Sequence, residues 1–121
     1  SRDSASGTFE AFNEMALDNV KVRPDALLNA SNQAVATTVA NTPGAIGYIG
    51  LGYMSSSVKP VTVDGVEATK ANVVNGSYPL ARNLYMYTNG APKGVVKDFV
   101  DFIMSKEGQK LVDKAGFVAV K

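Results

Sequence analysis

The 121 residues carry 12 basic and 11 acidic side chains, a net charge of +1, with 45% hydrophobic and 19% charged residues, the balance of a folded domain rather than a disordered tail. Near-neutral charge gives no general attraction for nucleic acid or an anionic membrane, so an anionic ligand would have to be drawn in locally. The sequence has neither cysteine nor histidine, which excludes disulfides, thiolate and imidazole metal sites and the Ser-His-Asp triad, and no apolar run approaches the length of a membrane span.

The chain opens on Arg2-Asp3-Ser4-Ala5-Ser6-Gly7-Thr8, which brings a cation, hydroxyl side chains and a glycine together. Directly after it Phe9, Phe12, Met15 and Ala16 fall at helical spacing and predict an amphipathic helix over Thr8 to Leu17, ended by Asp18-Asn19. A helix start leaves backbone N–H groups without partners and carries partial positive charge, so an anion placed there gains hydrogen bonds and dipole energy together. In that reading Arg2 neutralises charge with its planar fork, and Ser6 and Thr8 donate hydroxyl hydrogen bonds. Gly7 lets the backbone come close, and the Gly7 and Thr8 amides complete the cradle. Asp3 and Ser4 stand behind them as candidate supporting residues. Four hydrogen bonds to a charged group, at roughly 1.5–3 kcal/mol each, suffice in principle for micromolar binding. The simpler alternative is that Ser6 is an ordinary N-cap.

Val20 and Val22 alternate with Lys21 and Arg23 before Pro24, predicting a very short edge strand or an extended link, with Lys21 and Arg23 in solvent. Ser31 caps a helix from Asn32 to Ala40 whose inner face is narrow, made of Ala34, Val35, Thr38 and Val39, and Asn41-Thr42-Pro43-Gly44 stops it. Ala45 to Leu51 reads as a buried strand whose glycines admit close packing. The glycines at 44, 47, 50 and 52 do not form Gly-x-Gly-x-x-Gly, and no Gly-Lys-Ser/Thr follows, which rejects a nucleotide loop.

Asp64-Gly65 between β-prone runs signals a hairpin, with Pro60 marking an edge. Thr69 caps a short helix through about Val74, closed by Asn75-Gly76. Tyr78-Pro79-Leu80 is extended and leads to Arg82 and the β-prone residues 83–88; Arg82 is open to three roles, a cleft contact, a structural ion pair or a surface charge. After Asn89-Gly90-Ala91-Pro92 comes an amphipathic helix with Val95, Val96, Phe99, Val100 and Ile103 on one stripe. Ser105 caps a second helix, Lys106 to Lys114, and Gly116 stops it before a short strand over Phe117 to Val120; Phe99, Phe102 and Phe117 are read as core. Helices alternating with β-prone runs predict an α/β fold with a mixed sheet flanked by helices.

Arg2 to Phe12 resembles the Arg-x-x-x-Ser-Gly-Thr-x-x-x-Phe signature of the phosphate-binding proteins that serve phosphate ABC transporters. Asn41 to Ile49, Tyr78-Pro79-Leu80-Ala81-Arg82, and Phe102 to Gln109 followed by Gly116-Phe117-Val118 are similar to the same family, in the same order. The resemblance implies a two-lobe periplasmic-binding-protein fold of type 2, in which residues 1–78 belong to the second lobe and carry the anion loop, while residues 79–121 return to the first lobe. It also implies that the N-terminal part of that first lobe lies outside this chain. It implies capture of inorganic phosphate without catalysis, cofactor or metal, and delivery to an ABC transporter permease. The implied location is periplasmic or extracellular, with room for a lipid anchor in the full-length precursor.

The chain departs from the family in one respect. Many members carry an acidic residue where this one has Ser4, and a glycine where it has Ala5; that carboxylate can brace the arginine, and Asp3 is the candidate to replace it. The residues themselves specify a tetrahedral oxyanion, and only the resemblance specifies phosphate, so sulfate and molybdate remain alternatives. An enzyme built on Ser6 with Lys70 as base is disfavoured, because Ser6 has no lysine three residues on and the chain has no histidine. A last alternative is a fragment that binds nothing and self-associates through apolar surface, as a homo-oligomer or a segment-swapped dimer.

Overall fold

A computed structural model describes residues 1–120. Four of the five α-helices among these residues start where a hydroxyl side chain closes the first turn. Helix α1 (Gly7–Leu17) begins one residue ahead of the expectation, with Ser6 Oγ accepting the Phe9 N–H at 3.3 Å, and ends in a left-handed turn at Asp18 (φ 47°) and Asn19 (φ 63°). Helix α2 (Asn32–Ala40) is capped by Ser31, whose Oγ accepts the Ala34 N–H at 3.0 Å. Helix α3 (Lys70–Val74) is capped by Thr69, and helix α5 (Lys106–Lys114) by Ser105, which also ends α4 (Gly94–Met104). All these starts fall where a hydroxyl residue precedes a periodic run, save that of α4, whose N-cap is Lys93.

The core is small and sits on α2, where Val35 and Ala36 are buried. Gly47 is a glycine because it lies on that helix: a Cβ there would stand 2.8 Å from Val35 Cγ1 and 2.9 Å from Val39 Cγ2. The neighbouring Tyr48 stacks on Phe12 of α1, ring centroids 4.0 Å apart and planes at 9°. Residues 47 and 48 therefore tie α1 and α2 to one segment. At the other end of the chain, α5 folds back on α4 around the buried Gln109. Its amide donates to the Ile103 carbonyl (2.9 Å) and its carbonyl accepts the Val120 N–H (2.9 Å). An ion pair between Lys70 and Asp113 links α3 to α5.

The expected mixed sheet is not assembled among the described residues. Val20 to Arg23, Ala45 to Leu51, the run 83–88 and Phe117 to Val120 form no ladder, and residues 51–53 make a single 3-10 turn. The isolated bridges are Arg2 with Asn29, parallel, and Val63 with Val66, antiparallel. The second closes the expected Asp64-Gly65 turn, with both residues at positive φ (50° and 78°). A helix satisfies its own backbone, whereas a strand needs a neighbour to bond. The β-prone runs of this chain do not supply that neighbour for one another.

The expectation that Phe99, Phe102 and Phe117 are core is corrected for the same reason. They are 60%, 46% and 48% exposed, on faces that no described residue covers. The accessible surface is 8827 Å², against about 6,200 Å² for a compact monomer of this mass.

Candidate functional site

The first turn of α1 is built almost wholly from donors. Of the amides there, Ser6 N–H is taken by the Asp3 carbonyl (3.2 Å), Phe9 N–H by Ser6 Oγ, and Glu10 N–H by the Ser6 carbonyl (3.0 Å). The Gly7 and Thr8 N–H groups have no acceptor among the described residues. Ser6 is buried, and because its oxygen is used as an acceptor, its hydroxyl proton remains available for a second bond. Capping and anion binding are thus compatible roles for this serine. Thr8 is half-buried beside it and Ser4 is exposed.

Arg2 is held by two backbone carbonyls. Its Nε donates to the Asn29 carbonyl (3.2 Å) and its Nη2 to the Ala30 carbonyl (3.1 Å), so two of five guanidinium donors are committed and three remain. Its backbone N–H donates to Tyr48 Oη (3.1 Å), which also bonds Ser1 Oγ (2.7 Å). Asn29 is held in turn by Thr38 Oγ1, which donates to its side-chain carbonyl (3.0 Å). The bracing expected of Asp3 is therefore supplied by two backbone carbonyls. Asp3 instead closes its own turn, Oδ1 accepting the Ala5 N–H at 3.1 Å.

Arg82 also arrives at this turn, from the far side of the sequence. A Cβ placed on Gly7 would lie 2.6 Å from Arg82 Nη2 and 3.7 Å from its Cζ. A side chain at position 7 would therefore have to displace the Arg82 guanidinium. Tyr48, Asn29 and Arg82 are the residues that spacing alone did not place at the site. They stand 40, 21 and 74 positions from Thr8, and no local pattern reports contacts over such separations. A recess of about 200 Å³ beside α2 is lined by Leu27, Val35, Val39 and Ile46 among others and by no charged side chain.

Residues 1–107 match the model of the PBP superfamily domain. The chain is 37% identical to Phosphate-binding protein PstS 2 of Streptococcus agalactiae over 98% of its own length and 44% of that protein. It is likewise 37% identical to Phosphate-binding protein PstS of Pseudomonas aeruginosa, over 97% of its length and 39% of that protein. Among solved structures, it superposes on a phosphate-binding protein of a phosphate ABC transporter from Streptococcus pneumoniae with a TM-score of 0.88 at 35% identity, covering all of this chain and 50% of that one. A phosphate ABC transporter substrate-binding protein from Clostridium perfringens, solved with bound phosphate, gives a TM-score of 0.76 at 36% identity over 99% of this chain and 50% of that one. The chain spans about half the length of the relatives it matches.

Proposed function

Because this chain belongs to the PBP superfamily, we propose that it is the anion-holding part of a two-lobe phosphate-binding protein, which captures inorganic phosphate and hands it to an ABC importer. The observation that carries this reading is the first turn of α1, where free amides at Gly7 and Thr8 and the hydroxyls of Ser6 and Thr8 present donors, while Arg2, earlier in the same opening segment and anchored to the Asn29 and Ala30 carbonyls, keeps further guanidinium donors uncommitted. Such a turn stabilises an anion through hydrogen bonds and helix dipole together. Arg2 supplies charge, the two hydroxyls and two amides fix oxygens, and Asp3 and Ser4 hold the turn that precedes them.

In this reading the protein does no covalent chemistry and needs no metal or cofactor. Residues 1–78 form the greater part of one lobe and residues 79–121 contribute to the other, and lobe closure removes water from the ion and strengthens each contact. The location is outside the cytoplasmic membrane, where a permease can receive the ligand. Sulfate or molybdate is the alternative ligand, since the donors present here would hold any tetrahedral dianion. Discrimination would then rest on an acceptor for the phosphate proton, outside this turn.

The test is calorimetric titration of the complete protein with phosphate and with sulfate between pH 5.5 and 8.5. Phosphate binding that survives a sulfate excess and is lost in Arg2→Ala and Thr8→Val supports the proposal. Equal affinity for both anions would move the assignment to a general oxyanion binder.

A further inference from the structure

We infer that Arg82 is a second cation of this anion site, delivering its guanidinium across Gly7 to an oxygen of the bound phosphate; the inference rests on the phosphate reading and extends it. Nη2 of Arg82 lies so close to Gly7 that any Cβ there would meet it at 2.6 Å. Among the described residues the ion pairs are Arg23 with Asp25, Lys70 with Asp113 and Lys97 with Asp101, so Arg82 has no carboxylate partner.

Its position is electrostatically unfavourable as it stands. A helix N-terminus carries partial positive charge, and at α1 two amides there have no acceptor. A guanidinium laid against that end is repelled by the dipole and by the amides, with Arg2 a few residues away. Of the two acids near that end, Asp3 is occupied with the Ala5 amide, and Glu10, in the first turn of α1, is exposed and makes no ion pair among the described residues. What turns this repulsive cluster into an attractive one is an anion held between its members, and a doubly charged anion does so better than a singly charged one. Arg82 and Arg2 together supply as much positive charge as a phosphate dianion carries. Arg82 also comes from residues 79–121, so a shared anion would bond the two portions of the chain to each other.

The experiment uses the complete protein, titrated with inorganic phosphate from pH 5.5 to 8.5 at low and high salt, as wild type, Arg82→Gln, Arg82→Lys and Arg2→Ala. Thermal melting without phosphate checks the fold of each. We expect Arg82→Gln to weaken binding by about 10- to 100-fold, with the larger loss at the pH where phosphate is doubly charged, and with a weaker salt dependence. Arg82→Lys should recover the pH dependence but not the full affinity, because the charge returns without the fork. Gly7→Ala should cost affinity in wild type and less in the Arg82→Gln background, where no guanidinium is displaced.

If wild type binds phosphate, Arg2→Ala does not, and Arg82→Gln binds within twofold of wild type, the inference falls and the phosphate reading stands. If Arg82→Gln weakens binding by one factor at every pH and salt concentration, the side chain merely holds its loop, and the inference falls. If wild type binds no phosphate, the phosphate reading itself falls.

Discussion

Ser6 and Ser31 cap their helices with the same bond, a hydroxyl oxygen accepting the N–H three residues on, at 3.3 and 3.0 Å, yet their surroundings assign them different work. Ser31 is exposed, whereas Ser6 is buried in a turn with free amides. Replacing either by alanine removes a cap, worth about 1 kcal/mol of stability. Ser31→Ala should show that loss in denaturant unfolding and leave phosphate affinity unchanged. Ser6→Ala should show the same loss and weaken phosphate binding as well, because the hydroxyl proton goes with the cap. Equal affinities in the two variants would leave Ser6 a cap and nothing more. Tyr48 permits a similar separation of roles, because its ring and its hydroxyl act on different partners. Tyr48→Phe keeps the stack on Phe12 but withdraws the oxygen that accepts the Arg2 N–H. The expected outcome is an affinity loss corresponding to about 0.5–1.5 kcal/mol, with the melting temperature of the ligand-free protein little changed.

At the scale of elements, the helices were legible and the sheet was not, and the difference is one of range. The caps at Ser6, Ser31, Thr69 and Ser105 and the stops at Asp18-Asn19 and Asn75-Gly76 act within one turn of the residues that encode them, so α1, α2, α3 and α5 appear within a residue of where spacing puts them. The runs at 45–51 and 83–88 were read as strands from composition, but composition cannot provide the neighbour that makes a strand. The anion site divides in the same way. Arg2, Ser6, Gly7 and Thr8 are contiguous and could be read; the carbonyls of Asn29 and Ala30 that steady Arg2 belong to a loop with no sequence signal of its own. Gln109 is the clearest omission. It lies in a polar stretch of α5 and reads as surface, yet it is buried and joins Ile103 to Val120. Gln109→Leu keeps the bulk but strands a carbonyl and an N–H, so unfolding should become easier by about 1–3 kcal/mol for each group left without a partner. A variant as stable as wild type would mean that water reaches both groups and that the side chain is not what holds the last residues against α4.

For the molecule as a whole the decisive quantity is surface. The 8827 Å² exposed exceeds the compact expectation by about 2,600 Å², and large apolar side chains contribute to it. Tyr85 and Tyr87 on the 83–88 run, and Val95 and Phe99 on α4, are all more than half exposed. Contiguous apolar patches on monomers rarely pass a few hundred Å², and a standard protein interface buries about 1,600 Å² in total. Each copy of residues 1–121 therefore has enough uncovered surface for a full interface. These side chains all come from residues 79–121, the portion proposed to complete a lobe with chain from elsewhere, and the unpaired 83–88 backbone adds edge hydrogen-bonding groups to the same region. Produced by itself, the 121-residue chain should sediment as a dimer or larger species at tens of micromolar. Tyr87→Glu with Val95→Lys should shift it toward monomer, because both substitutions place charge on the contact without touching a buried residue. A monomer at high concentration that also fails to bind a hydrophobic dye would mean that these faces are covered within a single chain, and the assignment of residues 79–121 to a separate lobe would lose its physical support.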